Sequence, residues 1–228
     1  MADTADAIII GAGVHGASAA FHLAERGLRP VVLERDTAAC GATGRSSGLV
    51  RMHYDFEADS RLALLSHAYF QDWAERIGGD CGWGRTGFIL LVREGDEQRL
   101  NANVSMLRSI GVRTQVIDAP TLRELLPGVV TEDVRQAAWE PDSGYADPAA
   151  ATASLLQGAV RHGARLVQRT PITRVRVAHN RVLGVDTTQG SWDAQSLSMR
   201  QGPGQGASPR WLGSRSHSKC GATMSPTS

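Results

Sequence analysis

The sequence predicts an α/β fold built around a parallel sheet, and three observations lead there. A short apolar run, Ala5–Ile10, feeds into a glycine-rich turn, a helix and a second apolar run, so the first 36 residues read as a β-α-β unit. Strand and helix patterns keep alternating beyond it. The 228 residues are 42% apolar, enough to bury the core of one large domain or two small ones.

Each element has a local reason. Ala5–Ile10 is short, apolar and ends in Gly11, which suits a buried strand. Ala17–Arg26 carries Ala20, Leu23 and Ala24 at helical spacing, with Gly27 as its C-terminal stop. Val31–Glu34 is a second buried strand ending in an acid. Asp59–Arg76 reads as one amphipathic helix whose buried stripe is Leu62, Leu65, Ala68, Tyr69 and Trp73. Gly87–Arg93 is an apolar strand, Glu94–Ile110 a helix and Arg113–Ile117 an extended segment. Ala119–Leu126 is a short helix stopped by Pro127-Gly128. Asp147–His162 is a helix with Pro148 just inside its start and Gly163 just past its end. Arg165–Gln168, Ile172–Val177 and Val182–Thr187 are strands, with His179-Asn180 turning between the last two.

Composition excludes several classes. Lys plus Arg total 24 and Asp plus Glu 23, a net charge of +1, so the chain lacks the field of a nucleic-acid binder. The longest apolar runs, Ala7–Ile10 and Phe88–Val92, are too short to span a bilayer. With Asp3 and Asp6 and no Lys or Arg before Arg26, the N-terminus does not read as a secretory signal. Cys40, Cys81 and Cys220 have no metal-ligand spacing and read as reduced thiols, so no metal and a cytoplasmic location are expected.

The glycine turn carries the first chemistry. Gly11-Ala12-Gly13-Val14-His15-Gly16 lies between a predicted strand and helix, with Glu34 placed 23 residues after Gly11. Gly11 makes the tight turn, Gly13 lets a pyrophosphate approach the backbone, and Gly16 lets the helix pack against the strand. The helix N-terminus offers free N–H groups and a positive dipole to phosphates. Glu34 accepts hydrogen bonds from ribose hydroxyls and repels a 2′-phosphate. The ligand is therefore an adenine dinucleotide, NAD or FAD. A second glycine-rich loop, Thr43-Gly44-Arg45-Ser46-Ser47-Gly48, offers hydroxyls and amides to more of the pyrophosphate or to a flavin ring.

Taken together, Ile9-Ile10-Gly11 through Gly27, then Val31–Arg35, then Gly41–Gly48, resemble the N-terminus of FAD-dependent amine oxidoreductases of the D-amino-acid oxidase, glycine oxidase and sarcosine oxidase superfamily. Pro141–Pro148, the helix after it, Gly163-Ala164 and Ile172–Val177 continue the resemblance over residues 5–194. The resemblance implies a Rossmann-like FAD-binding domain, a parallel sheet with a β-meander, at residues 1–53 and 148–194. It also implies part of an α+β substrate domain at 54–147. FAD would be held by Gly11, Gly13, Val14, His15 and Gly16 at the pyrophosphate, and by Glu34 and Arg35 at the adenosine ribose. Thr43, Gly44, Arg45, Ser46 and Ser47 would line the flavin side, and the backbone of Val175 would meet the adenine. Leu49–Tyr54 resembles a segment whose arginine, here Arg51, pairs with a substrate carboxylate, and His53 and Tyr54 are candidate active-site neighbours. The implied reaction oxidises the CH–NH bond of a small amino acid or N-methyl amino acid.

The sequence departs from the family after Ala194. From Gln195 to Ser228 there is no acid, and eight Ser, five Gly and three Pro accompany no Val, Ile or Phe. That composition predicts a segment without a packed core. Family members place a strand here that reads Val-Val-Asn-Ala-Ala-Gly-Pro-Trp-Ala. Starting each codon one base early, at the third base of the codon before, permits Ala-Val-Val-Val-Asn-Ala-Ala-Gly-Pro-Trp-Ala-Gly from Ala194 onward. Residues 195–228 are therefore expected to be a disordered, out-of-frame tail on a truncated, inactive form. The gene sequenced across codons 188–200 should reveal a second frame that stays open well past this point; an early stop there would refute the expectation.

Overall fold

The computed structural model describes residues 2–179, 181–194 and 197–199; the remaining positions lie outside the described residues. The chain begins with β1 (Asp3–Thr4) and β2 (Ala7–Ile10), enters α1 (Val14–Glu25) and returns in β3 (Pro30–Leu33). After a short 3-10 turn at Thr43–Arg45 come β4 (Leu49–Val50), α2 (Glu57–Gln71) and α3 (Trp73–Arg76). β5 (Phe88–Val92), α4 (Glu97–Ser109), β6 (Gln115–Ile117), α5 (Ala119–Leu125) and β7 (Gln136–Glu140) form a second body. β8 (Gly144–Tyr145) leads into α6 (Pro148–Arg161) and β9 (Arg165–Val167). β10 (Ile172–Ala178), β11 (Arg181–Thr187), β12 (Gly190–Asp193) and β13 (Leu197–Met199) complete the order.

The parallel sheet has the order β13-β2-β3-β9, and β2 and β3 are buried along their whole length. Such strands must be covered on both faces. On one face, Ile9 and Val32 pack under α1 and α6 through Ala17, Ala20, Phe21, Leu155 and Ala159. On the other, Ile8, Ile10, Val31 and Leu33 meet Val175, Val185 and Trp192 of the antiparallel β10-β11-β12 meander. The result is a helix–sheet–sheet sandwich. Two glycines set its spacing. A Cβ on Gly16 would lie 1.9 Å from the Gly11 carbonyl oxygen, and one on Gly158 would lie 2.8 Å from the Phe21 ring. Only hydrogen fits at either contact.

α6 begins and ends where its sequence signals place it. Asp147 caps it by accepting from the amides of Ala149 (2.8 Å) and Ala150 (2.9 Å), Pro148 opens it, and Gly163 follows at φ +98°. The second body is a β5-β7-β6 antiparallel sheet. α4 covers it through Leu100 and Val104, and α5 through Leu122.

Two expectations are corrected. The helix read as Asp59–Arg76 divides at Asp72, whose φ of −115° and ψ of 34° leave the helical region. The predicted stripe holds only toward its end, where Tyr69 packs against the core and Trp73 is buried; Leu62 and Leu65 are 64% and 69% exposed, and Ser60 and His67 are buried instead. Those polar side chains bury because they have partners. The Ser60 hydroxyl donates to the Tyr54 carbonyl (3.3 Å), and His67 Nε2 donates to the Asp142 carbonyl (2.7 Å). Hydropathy alone sees no partners.

The second correction concerns residues 195–228. Leu197–Met199 do form regular structure, pairing in parallel with Ile8–Ile10 of β2. The outer edge of β2 offers backbone groups to any extended segment, and ladder bonds need no particular side chain. The rest of that stretch lies outside the described residues.

Tyr69, Phe70, Trp73, Ile77, Cys81 and Trp83 pack into the α1/α6 core. The turn predicted at His179-Asn180 holds at His179, with φ +49°; Asn180 lies outside the described residues. Replacing Gly158 with Leu should destabilise the fold by about 1–3 kcal/mol through overpacking against Phe21, read by urea unfolding.

Candidate active site

The glycine turn emerges from the C-terminal end of β2, where ligands of parallel α/β sheets bind. Gly11 takes φ +102°, and α1 starts at Gly13 without a side-chain cap and without an acid in its first turn. Its dipole end is thus left for an anion. A Cβ on Gly13 would lie 3.0 Å from Thr43 Oγ1, so the backbone there is open only because residue 13 is glycine. Thr43 Oγ1 accepts from the Val14 amide at 3.1 Å, which ties the second glycine loop to the first.

Glu34 stands just past β3. Its Oε2 accepts from the Ala12 amide (2.8 Å) and its Oε1 from the Asp36 amide (3.0 Å). The carboxylate is therefore fixed against the glycine turn, with further lone pairs for hydroxyl donors. Arg35 and His15 are exposed and Val14 is half-buried. Gly44, Arg45, Ser46 and Ser47 are exposed along the loop, where Ser46 Oγ accepts from the Gly48 amide at 3.1 Å. The loop crosses the start of α6 closely: Gly48 has φ +71°, and a Cβ there would lie 2.0 Å from the Ala146 carbonyl oxygen. Val175 buries its side chain between the two sheets, and its backbone lies in β10 at the meander edge. These residues fit an adenine dinucleotide: an uncapped helix end, a cradle that a Cβ would fill and an oriented carboxylate.

Arg51 is half-buried. Its guanidinium carbon lies 4.8 Å from the Tyr54 ring centre and 5.1 Å from that of Phe88. Among the described residues it has no acidic partner. Tyr54 is exposed beside it. His53 is buried. Its side chain is 2% exposed, with Nδ1 3.5 Å from Glu140 Oε1 and Nε2 3.1 Å from the Asn103 amide nitrogen. Its ring lies in the interior beside the Phe88 ring, with Nε2 in a hydrogen bond to Asn103. Phe88, Asn103, Glu140 and Ser143 were not singled out from sequence. The one available signal was an acid, Glu140, directly before Pro141-Asp142.

Both described thiols are free. Cys40 is exposed and Cys81 is buried, and burial pushes the Cys81 thiol up. Among the described residues no His, Cys, Asp and Glu group could hold a metal, and no helix is long and apolar enough to cross a membrane.

The fold and glycine turn define a dinucleotide-binding protein of the parallel α/β class. Residues 6–197 match the DAO family, described as FAD dependent oxidoreductase, and the chain belongs to that family. Its cofactor is FAD. Among curated proteins, the chain is 28% identical to mouse (Mus musculus) mitochondrial sarcosine dehydrogenase over 200 residues, covering 82% of this chain and 21% of that one. It is 29% identical to glycine oxidase of Geobacillus kaustophilus over 206 residues, covering 86% of this chain and 54% of that one. Among solved structures, L-proline dehydrogenase from P. horikoshii aligns with a TM-score of 0.83 at 26% identity, covering 88% of this chain and 54% of that chain. The chain thus spans from about a fifth to about half the length of these relatives.

Substituting Val for Gly13 should fill the pyrophosphate approach. The variant is expected to retain far less flavin than the parent, measured by visible absorbance after identical FAD reconstitution; equal retention would dismiss the glycine-turn assignment.

Proposed function

We propose that the protein containing this chain oxidises the CH–NH bond of a small amino acid or N-methyl amino acid, with Arg51 holding the substrate carboxylate. The observation that carries this reading is the Arg51 guanidinium, set against two aromatic rings with no acidic partner among the described residues. A guanidinium fork binds a carboxylate through two parallel hydrogen bonds, and the flanking rings restrict its swing while excluding water. The relatives named for sarcosine and glycine support that substrate class.

In this reading Gly11, Gly13, Val14, His15 and Gly16 receive the pyrophosphate, and Glu34 with Arg35 the ribose. Thr43 to Ser47 line the flavin side and the Val175 backbone meets the adenine. FAD, when bound, supplies the hydride acceptor for the substrate carbon that bears nitrogen. The residues of the chain bind and orient: Arg51 fixes the carboxylate, which fixes the neighbouring carbon, and Tyr54 shields the guanidinium. The imine product hydrolyses in water. Residues 1–53 and 148–194 serve FAD, and 54–147 supplies the substrate side. The free thiols Cys40 and Cys81 suit a reducing, cytoplasmic setting.

Arg51→Ala in the complete gene product should cost about 2–4 kcal/mol of transition-state binding, seen as a fall in kcat/KM for N-methylglycine and glycine. Unchanged kcat/KM on every accepted amino acid would remove Arg51 from this role.

A further inference from the structure

We propose that Glu140 is a positioning residue: its buried carboxylate fixes the backbone between Arg51 and His53 and so sets where the Arg51 guanidinium points. The proposal rests on the reading of Arg51 as the carboxylate-binding group.

Glu140 is fully buried at the end of β7, yet among the described residues no Lys or Arg pairs with it. A carboxylate in such a place needs several donors to offset its lost hydration. Its oxygens divide their work. Oε2 accepts from the Met52 amide (3.1 Å) and the Ser143 hydroxyl (2.7 Å), while Oε1 lies 3.5 Å from His53 Nδ1. Asn103 of α4 closes the far side of the His53 ring. The residue opposite Glu140 in the β5–β7 ladder is Phe88, whose ring flanks both Arg51 and His53.

The segment after Glu140 anchors the other side of Arg51. Gly144 and Tyr145 pair with Val50 and Leu49. Arg51 is thus a single residue spanning two anchors, the β4–β8 ladder before it and the Met52–Glu140 bond after it. Both anchors belong to one short stretch, 140–145. That stretch is itself held from three sides. His67 Nε2 donates to the Asp142 carbonyl (2.7 Å), and the Asp142 carboxylate pairs with Arg85 and with Arg113 (3.2 Å). Pro141-Asp142-Ser143-Gly144 therefore frames the Arg51 segment, and Glu140 is the link that reaches into it.

The test uses the 228-residue protein labelled with [15N]arginine. The Arg51 Nε–Hε signal is assigned by its loss in Arg51→Lys, and the Tyr54 and Phe88 rings should displace it from the bulk arginine signals. Glu140→Leu keeps the bulk but removes the oxygen that accepts from both Met52 and Ser143. It should move the Arg51 signal toward the bulk and weaken N-methylglycine binding about tenfold, the equivalent of about 1.4 kcal/mol. Ser143→Ala should move the signal the same way by less. Leu122→Ala, a buried change under the second sheet and outside this cluster, should lower the Tm and leave the signal in place, which separates positioning from general loosening. An unmoved signal in folded Glu140→Leu overturns the proposal; if that variant does not fold, an unmoved signal in Ser143→Ala does so. Should N-methylglycine leave the parent signal unchanged while Glu140→Leu still moves it, the carboxylate reading fails and the positioning role stands.

Discussion

The β2–β3 pair is buried on both faces, and most of the architecture answers that constraint. A parallel pair cannot leave one side to water as an antiparallel hairpin can, so it must be covered twice. Helices α1 and α6 cover one face and the β10–β12 meander the other. The close approach of α1 depends on Gly16, and the approach of α6 to α1 depends on Gly158. Because α1 is held this tightly, its N-terminus comes to the strand ends with no cap of its own, beside the fixed carboxylate of Glu34. The open, uncapped helix end is a by-product of layer packing, with glycine where a side chain would block it.

The second body meets the first through an apolar cluster of Met52, Leu107 and Val112 with Ala63 and Leu64 of α2, and through polar groups. The stretch 140–145 takes hydrogen bonds or ladder pairs from the Arg51 segment, α2 and residues 84–85. The only cation among residues 49–54 is left facing aromatic rings rather than an acid. The chain spans about half the length of the glycine oxidase and L-proline dehydrogenase relatives.

Much of this was legible in the residues. The β-α-β unit, the glycine turn, Glu34 and helix α6 with its Asp147, Pro148 and Gly163 signals all follow from local chemistry, and each lies within a residue or two of its expected place except the start of α1. β7 was not legible. Gln136-Ala137-Ala138-Trp139-Glu140 has weak strand propensity and no alternation, yet it is the central strand of its sheet because β5 and β6 pair with it from either side. The buried face of α2 was misread for a related reason. Ser60 and His67 look polar in sequence and become interior through partners at Tyr54 and Asp142.

The sequence by itself determined the parallel strand–turn–helix–strand unit, the dinucleotide turn and the acid beside it. These depend on periodicity, glycine geometry and spacing, all of which act over a few residues. Tertiary structure decided which way His53 faces, which strand centres the second sheet and what fixes Arg51. Those outcomes depend on partners far apart in the chain, Met52 with Glu140 and His53 with Asn103, and a buried polar group is stable only where such a partner meets it.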